Sequence, residues 1–376
     1  MRNIFVKIAA SAILLIASVS LTFLAVSAIR YRVFITFKEE NAVFTRNSLP
    51  VLCMAVIFGV LLLLAGRALK RIKPGVLFAV GAGIWLVLGI YIIHNVDHVA
   101  KFDQEYIYEE VEHINAGNYT VLAPDRYLGE WPDQLGLLTF ERLVSAVGYS
   151  HRAFMIINLV EIIGINFLLW RITASATGYN TMAQNYTILL THLFLPELLY
   201  LTFIYGTTPG LLFMLAGVTA LLHFWEKGGI FRIIVSAVLF GLAVMAKKNY
   251  QVACIALIIV LVLEMINYKK LVPLLIAAAV LIAVTGIHSE VISYYAHMSG
   301  YRLKGMPLIM NVTMGLQGDP YQTEGRCCGW VDGYNEVEFK RAGYDPAAAS
   351  AVGMRDFKER VSFFIQNPVF ARDFFT

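Results

Sequence analysis

Cysteine is scarce in this 376-residue chain, which has four. Cys53 and Cys254 fall inside apolar runs, while Cys327 and Cys328 are adjacent, so the four provide neither a disulfide framework nor a paired zinc spacing. Charge is thin too: Asp, Glu, Lys and Arg make up 15%, and the formal net charge of +4 is spread over short connecting segments. Such a balance gives no support to nucleic-acid binding, and its basic residues read better as topology signals. Asp-X-Asp is missing, so spacing does not indicate a divalent cation, although an Asp/Glu/His group could hold one; no other cofactor is implied. No internal repeat is visible either, which removes the inverted-repeat signature of many transporters.

What the chain does have is apolar surface in excess of what a globular core can bury. Hydrophobic residues are 58% and the mean hydropathy is +0.66. Repeated runs near spanning length predict an all-α polytopic membrane protein with about nine transmembrane helices. The run from Ile8 to Ile29 exceeds a signal-peptide core and reads as an anchor helix. Two more spans follow at about 51–66 and 75–93, and six more at about 153–172, 185–204, 209–225, 230–246, 250–267 and 271–287. Arg67 to Lys73 is the densest basic cluster and is assigned to the cytoplasm, as are the connections holding Arg171, Lys227 with Arg232, and Lys269 with Lys270. The chain thus divides into spans 1–93, an extracytoplasmic loop 94–152, spans 153–287, and an extracytoplasmic segment 288–376. By this count the loop and the last segment emerge on the same side and could build one site.

The longest polar stretch before residue 288 is Phe102–Leu138. Asp103, Tyr106, Glu110 and His113 are spaced to share one face of a juxtamembrane helix, which Asn115, Gly117 and Asn118 then stop. Asp103 can act as a general base toward an acceptor hydroxyl; with Glu105, Glu109, Glu110 and Glu112 around it, the pattern also fits a solvated acidic face. Asp97 and His98 are nearby candidates. Trp131, Asp133 and Gln134 suit a sugar, the ring stacking on C–H faces while the polar groups take hydroxyls, or form an interfacial proline turn.

Lys247 and Lys248 follow an apolar run too short to cross a bilayer unaided. They suit an anionic phosphate, or snorkel to the surface. Arg302 and Lys304 in the last segment could meet a lipid phosphate or face water. Tyr205-Gly206 and Pro209-Gly210 read as a structural outer turn, and Asn118, Asn185 and Asn311 each begin a glycosylation triplet. Asn367-Pro368 and the aromatics after it read as an interfacial segment.

Taken in order, these parts resemble the GT-C class of integral-membrane glycosyltransferases that use polyprenyl-phosphate-linked sugars. The resemblance rests on Asp103-Gln104, the helix to His113, Gly117-Asn-Tyr119 and the loop Tyr127 to Gly136, and covers most of the chain from about residue 90. Trp131 to Gln134 is similar to the Tyr-Pro-Asn-Gln-like motif of bacterial cell-surface polysaccharide members, and Tyr205-Gly206, Lys248-Asn249, Met314-Gly-Leu316, Gly329-Trp330 and Asn367-Pro368 also match. It implies that Asp103 is the catalytic base and that basic residues of later outer loops bind the carrier phosphate. Relatives of that class continue past the point where this chain ends, which implies a C-terminal segment cut short. The implied partners are a polyprenyl-phosphate-sugar donor, a glycan or lipid acceptor and membrane lipids, at the outer face of a bacterial plasma membrane. The competing reading is a transporter or flippase of lipid-linked saccharides, which would need no outer base. A non-catalytic subunit of an envelope complex is a third reading on which the sequence is silent.

Overall fold

The computed structural model describes residues 4–35, 42–97, 100–321, 328–329 and 331–375. Helix α1 (Ile4–Arg30) leads into a hairpin of β1 (Tyr31–Ile35) and β2 (Ala42–Arg46), followed by α2 (Leu49–Leu69) and α3 (Pro74–Asn95). The polar stretch holds α4 (Asp103–Asn115), α5 (Tyr127–Glu130) and α6 (Leu135–Ser145). Then come α7 (His151–Ala176), α8 (Thr181–Leu193), α9 (Leu195–Leu199), α10 (Thr207–Lys227) and α11 (Ile230–Ala246). The apolar part closes with α12 (Gln251–Tyr268) and α13 (Val272–Ser299). Four shorter or more polar helices end the chain: α14 (Leu308–Met314), α15 (Tyr334–Arg341), α16 (Pro346–Gln366) and α17 (Pro368–Phe375).

Seven helices among the described residues are long and apolar enough to cross a membrane: α1, α2, α3, α7, α10, α12 and α13. This is the build of a multi-pass membrane protein. The two other predicted spans are shorter. The one expected over 185–204 is α8, which ends at Leu193 because Pro196 cannot donate to a continuing ladder. The one over 230–246 is α11, with 17 residues. The span expected to end at 287 runs on to Ser299, and only Gly300, in the left-handed conformation, caps it. The fold is all-α as expected, apart from one short hairpin among the described residues. Its strands, Tyr-Arg-Val-Phe-Ile and Ala-Val-Phe-Thr-Arg, carry β-branched and aromatic residues and pair antiparallel with Tyr31 opposite Arg46.

The chain forms two compact units. The first takes in Val60–Ala123 and Pro132–Tyr301 with the first residues of α1. Its core lies among α10, α11, α12 and α13, around Phe240, Ile276 and Val280, all fully buried. Gly217 of α10 lies against the Phe240 ring, and the Ser236 hydroxyl donates to the Gly217 carbonyl at 2.8 Å. A second core joins α3 and α7 through Trp85, Met155 and Leu159, and Trp85 Nε1 donates to the His192 carbonyl at 2.8 Å.

The second unit takes in Ile8–Gly59, Pro124–Trp131 and Arg302–Thr376. There Asn47 Nδ2 donates to the Ala28 and Ile29 carbonyls, each at 2.9 Å, which satisfies the open end of α1. Its core brings Met310, Phe339 and Ala349 together from α14, α15 and α16. The Arg360 guanidinium sits among Phe363, Phe364, Phe370 and Phe374, 4.8 Å from the Phe364 ring centre, and donates to the Leu316 and Gly318 carbonyls.

Candidate active site

Three close backbone approaches in the first unit set the geometry. Gly136 at the start of α6 lies against the Met245 carbonyl, and Gly206 ahead of α10 lies against the Ala246 carbonyl; a Cβ at either position would collide with that oxygen. Gly210 packs against the Tyr250 ring, whose hydroxyl donates to the Thr207 carbonyl at 2.7 Å. The end of α11 is thereby pressed against the starts of α6 and α10. Lys247 leaves α11 in an extended conformation, and Lys248–Tyr250 form a single 3-10 turn before α12.

Asp103 opens α4, directly after Phe102, whose φ of 57° is a left-handed conformation rare for a bulky residue. Holding it costs about 1–3 kcal/mol. Ile107, Val111 and Ile114 of α4 are all buried, whereas Asp103, in its first turn, is exposed. Tyr205 is held from two directions: Asn158 Nδ2, buried on α7, donates to the Leu201 and Phe203 carbonyls at 3.1 and 3.0 Å, and the Ile204 N–H donates to Gln104 Oε1 at 2.9 Å.

The predicted residues then meet around one ring. Gln134 Nε2 donates to the Tyr205 hydroxyl at 2.6 Å, and that hydroxyl donates to Asp103 Oδ2 at 3.3 Å. The Lys247 ammonium lies 3.9 Å from the Tyr205 ring centre, a cation–π contact. Burial pushes the Lys247 pKa down and the Asp103 charge opposes that shift. Beside this group Lys248 Nζ lies 3.9 Å from Asp133 Oδ2. With both side chains partly in solvent, that pair contributes about 0–1 kcal/mol and is free to exchange partners.

Asp103, Asp133, Gln134, Lys247 and Lys248 are therefore brought together. Trp131, Arg302 and Lys304 belong to the second unit. There the Met306 N–H donates to the Glu130 carbonyl at 2.9 Å, joining the Trp131 loop to the segment that carries Arg302 and Lys304. Arg302 and Lys304 are exposed and Trp131 is half-buried. Burial, and then the charges of Glu336 and Asp125, push the Glu130 carboxyl up to about 7.

No family model, curated protein or solved structure matches this chain.

The geometry revises two readings. Tyr205, read as part of a structural turn, is the centre of the cluster. Asn185, which begins a glycosylation triplet, is fully buried, and its Nδ2 donates to the Leu69 and Ile72 carbonyls at 2.7 and 2.8 Å. His98 lies outside the described residues, among which no three His, Cys, Asp or Glu side chains group to hold a metal ion. Asn158 left no sequence signal, because a buried Asn in an apolar helix shows its purpose only when the facing carbonyls are known.

A cavity of 580 Å³ opens in the first unit near the cluster, lined by Ile162, Ile165, Leu190, Phe194, Thr207 and Leu211. Tyr200 is also in its wall, and an aromatic series leads from Tyr200 to Phe203 at 5.5 Å and on to Tyr205 at 5.6 Å. The walls are almost wholly apolar, which suits a hydrocarbon chain.

Proposed function

We propose that this protein is a GT-C-like membrane glycosyltransferase that moves a sugar from a polyprenyl-phosphate donor to a cell-envelope glycan, lipid or polymer at the outer face of the plasma membrane. The observation that carries the reading is the exposed Asp103 carboxylate, hydrogen-bonded to Tyr205 and electrostatically coupled to the half-buried Lys247. A carboxylate so held is open to an acceptor on one side and fixed in direction on the other.

In the proposed step the acceptor oxygen attacks the anomeric carbon and the carbon–oxygen bond to the carrier phosphate breaks. The bonding pair stays on the phosphate oxygen, and the acceptor proton passes to Asp103. Attack opposite the leaving group inverts the anomeric centre. Lysine charge beside the departing phosphate offsets its growing negative charge, and it acts most strongly where water is excluded. The apolar cavity beside Tyr200 is the place the reading gives to the prenyl chain. Asp133 and Gln134 orient a sugar in this scheme.

The test is transfer from radiolabelled polyprenyl-phosphate sugars by the full chain in lipid nanodiscs, followed as release of free carrier phosphate. Release supports the transferase. Translocation of intact lipid-linked saccharide with no release, across a set of donor sugars, would favour the flippase instead.

A further inference from the structure

Arg142 stands half-buried near the end of α6, the helix that begins directly after Gln134. Its Nε donates to Asn115 Oδ1 at 2.8 Å, and its Nη1 donates to the Tyr295 hydroxyl at 3.0 Å. Both acceptors are themselves fixed. Asn115, the last residue of α4, donates through Nδ2 to Ser145 Oγ at 3.1 Å. Tyr295, on α13, is fully buried, with its hydroxyl 3.2 Å from Thr139 Oγ1. The guanidinium carbon lies 5.9 Å from the Tyr295 ring centre, so α4, α6 and α13 together set the direction of one cation. Every one of these partners is neutral. Among the described residues no carboxylate lies within ion-pair distance of Arg142. Its neighbour Glu141 is buried, and neither of that carboxyl's oxygens has a hydrogen-bond partner. The outer edge of the guanidinium fork meets only the hydroxyl of Tyr294, an exposed side chain whose ring stands 5.1 Å from that of Tyr295.

Resting on the transferase reading given above, we propose that Arg142 and Tyr294 form an acceptor subsite for the carboxylate of an acidic sugar, which makes the acceptor a uronate-bearing glycan. A carboxylate is planar and has two oxygens, and the outer edge of a guanidinium held in direction matches it as a bidentate pair. The single positive charge balances a single negative one, whereas a phosphate dianion calls for further cations, and the groups around Arg142 are neutral. Fastening by an amide and a hydroxyl keeps the charge for the ligand, since an internal carboxylate would compete for it. Partial burial strengthens the pair by reducing its screening. The spacing suits a polymer. Gln134 and Arg142 are eight residues apart, a rise of about 12 Å along a helix, which an oligosaccharide covers and a single sugar does not. The sugar that receives the transfer then lies by Asp103 and Gln134, and an acidic unit further along the glycan is held at Arg142.

Binding to the full chain in phosphatidylcholine nanodiscs, measured by titration calorimetry, tests this without any transfer reaction. The probes are the trimers of galacturonic and mannuronic acid, each beside its neutral methyl ester. Wild type should bind the acid of at least one trimer about tenfold or more ahead of its ester, as expected for charge-assisted hydrogen bonds. Arg142→Gln should bring acid and ester to parity. Arg142→Lys keeps the charge without the fork and should retain only a small part of the preference. Asn115→Asp separates a ligand-binding role from a structural one, because it supplies Arg142 with an internal carboxylate. Its melting temperature should hold or rise while the acid loses its lead. An acid preference that persists in folded Arg142→Gln or in Asn115→Asp would overturn the assignment and leave the transferase reading standing. Equal affinity of wild type for acid and ester in both trimers would do the same. Displacement of the acid trimer by an equal concentration of inorganic phosphate would make this a phosphate site, against the proposal. Arg142-dependent acid binding by a chain that releases no carrier phosphate from polyprenyl-phosphate sugars would overturn the transferase reading instead and leave the acidic-glycan site standing.

Discussion

The Lys247 ammonium sits 3.9 Å from the centre of the Tyr205 ring, and the hydroxyl of the same ring donates to Asp103. One aromatic side chain therefore ties a cation and a carboxylate that are 144 residues apart in the sequence. The ring and the hydroxyl can be removed separately. Tyr205→Phe keeps the ring under Lys247 but leaves Gln134 and Asp103 without their shared partner. Turnover should fall about tenfold with only a small change in thermal melting, since the two part-buried hydrogen bonds lost contribute about 1 kcal/mol each at most. Tyr205→Leu loses the cation–π contact as well, about 0.5–2 kcal/mol, and should lower the melting temperature too. Turnover and melting measured on the same preparations separate the two.

Gly206→Ala and Gly136→Ala place a methyl against a backbone carbonyl of the α11 end, which cannot rotate away. Each should destabilise the first unit by about 1–3 kcal/mol or more and displace Lys247. Gly286→Ala on α13 meets open space and should be neutral or stabilising by up to about 1 kcal/mol, as alanine favours the helix. Thermal melting of the three in one detergent checks the contrast.

Asn158→Ala leaves the Leu201 and Phe203 carbonyls without their buried donor. A cost of about 1–3 kcal/mol is expected, together with a fall in turnover as the Tyr205 segment loosens. Asn158→Asp should be at least as damaging, because it presents an acceptor to two acceptors.

Glu141 on α6 is 1% exposed, and neither carboxyl oxygen has a hydrogen-bond partner. Burial holds its carboxyl well above the usual carboxylate range. An acid whose folded pKa is raised binds its proton more tightly in the native state. Its contribution to stability is full below the unfolded carboxylate pKa and is lost as pH rises toward the folded value. Glu130, pushed up to about 7, follows the same sign between the ordinary carboxylate range and neutrality. Wild type should therefore melt at lower temperature as pH rises through this window, and Glu141→Gln should flatten the dependence. A pH series of melting curves for the two proteins measures it.

Much of the frame was legible in the chain. The i, i+3, i+4 spacing from Asp103 to His113 marks α4, and long apolar runs mark the seven long helices. Asp103, Gln134, Lys247 and Lys248 stand out because polar groups at the ends of apolar runs are few. What the sequence hid lies in contacts across distance. Tyr205 reads as a turn residue because Gly206 and Pro209 flank it, and nothing local shows Gln134 or Lys247 beside it. The fall in hydropathy after 287 resembles the end of a helix, yet backbone hydrogen bonding needs no apolar side chains. The helix therefore continues until Gly300 and carries Tyr295 with it. Asn185 matches a surface triplet by residue type, and only the helix end it caps shows that it is buried.

The most direct test of the base assignment is turnover of Asp103→Asn beside wild type in nanodiscs. Each is supplied with polyprenyl-phosphate sugar, and both are matched by melting temperature and by binding of farnesyl phosphate. The account predicts release of free carrier phosphate by wild type and loss of that release by a factor of about 10²–10⁴ in Asp103→Asn, with folding and binding intact. Near-normal release by a folded Asp103→Asn protein would contradict it.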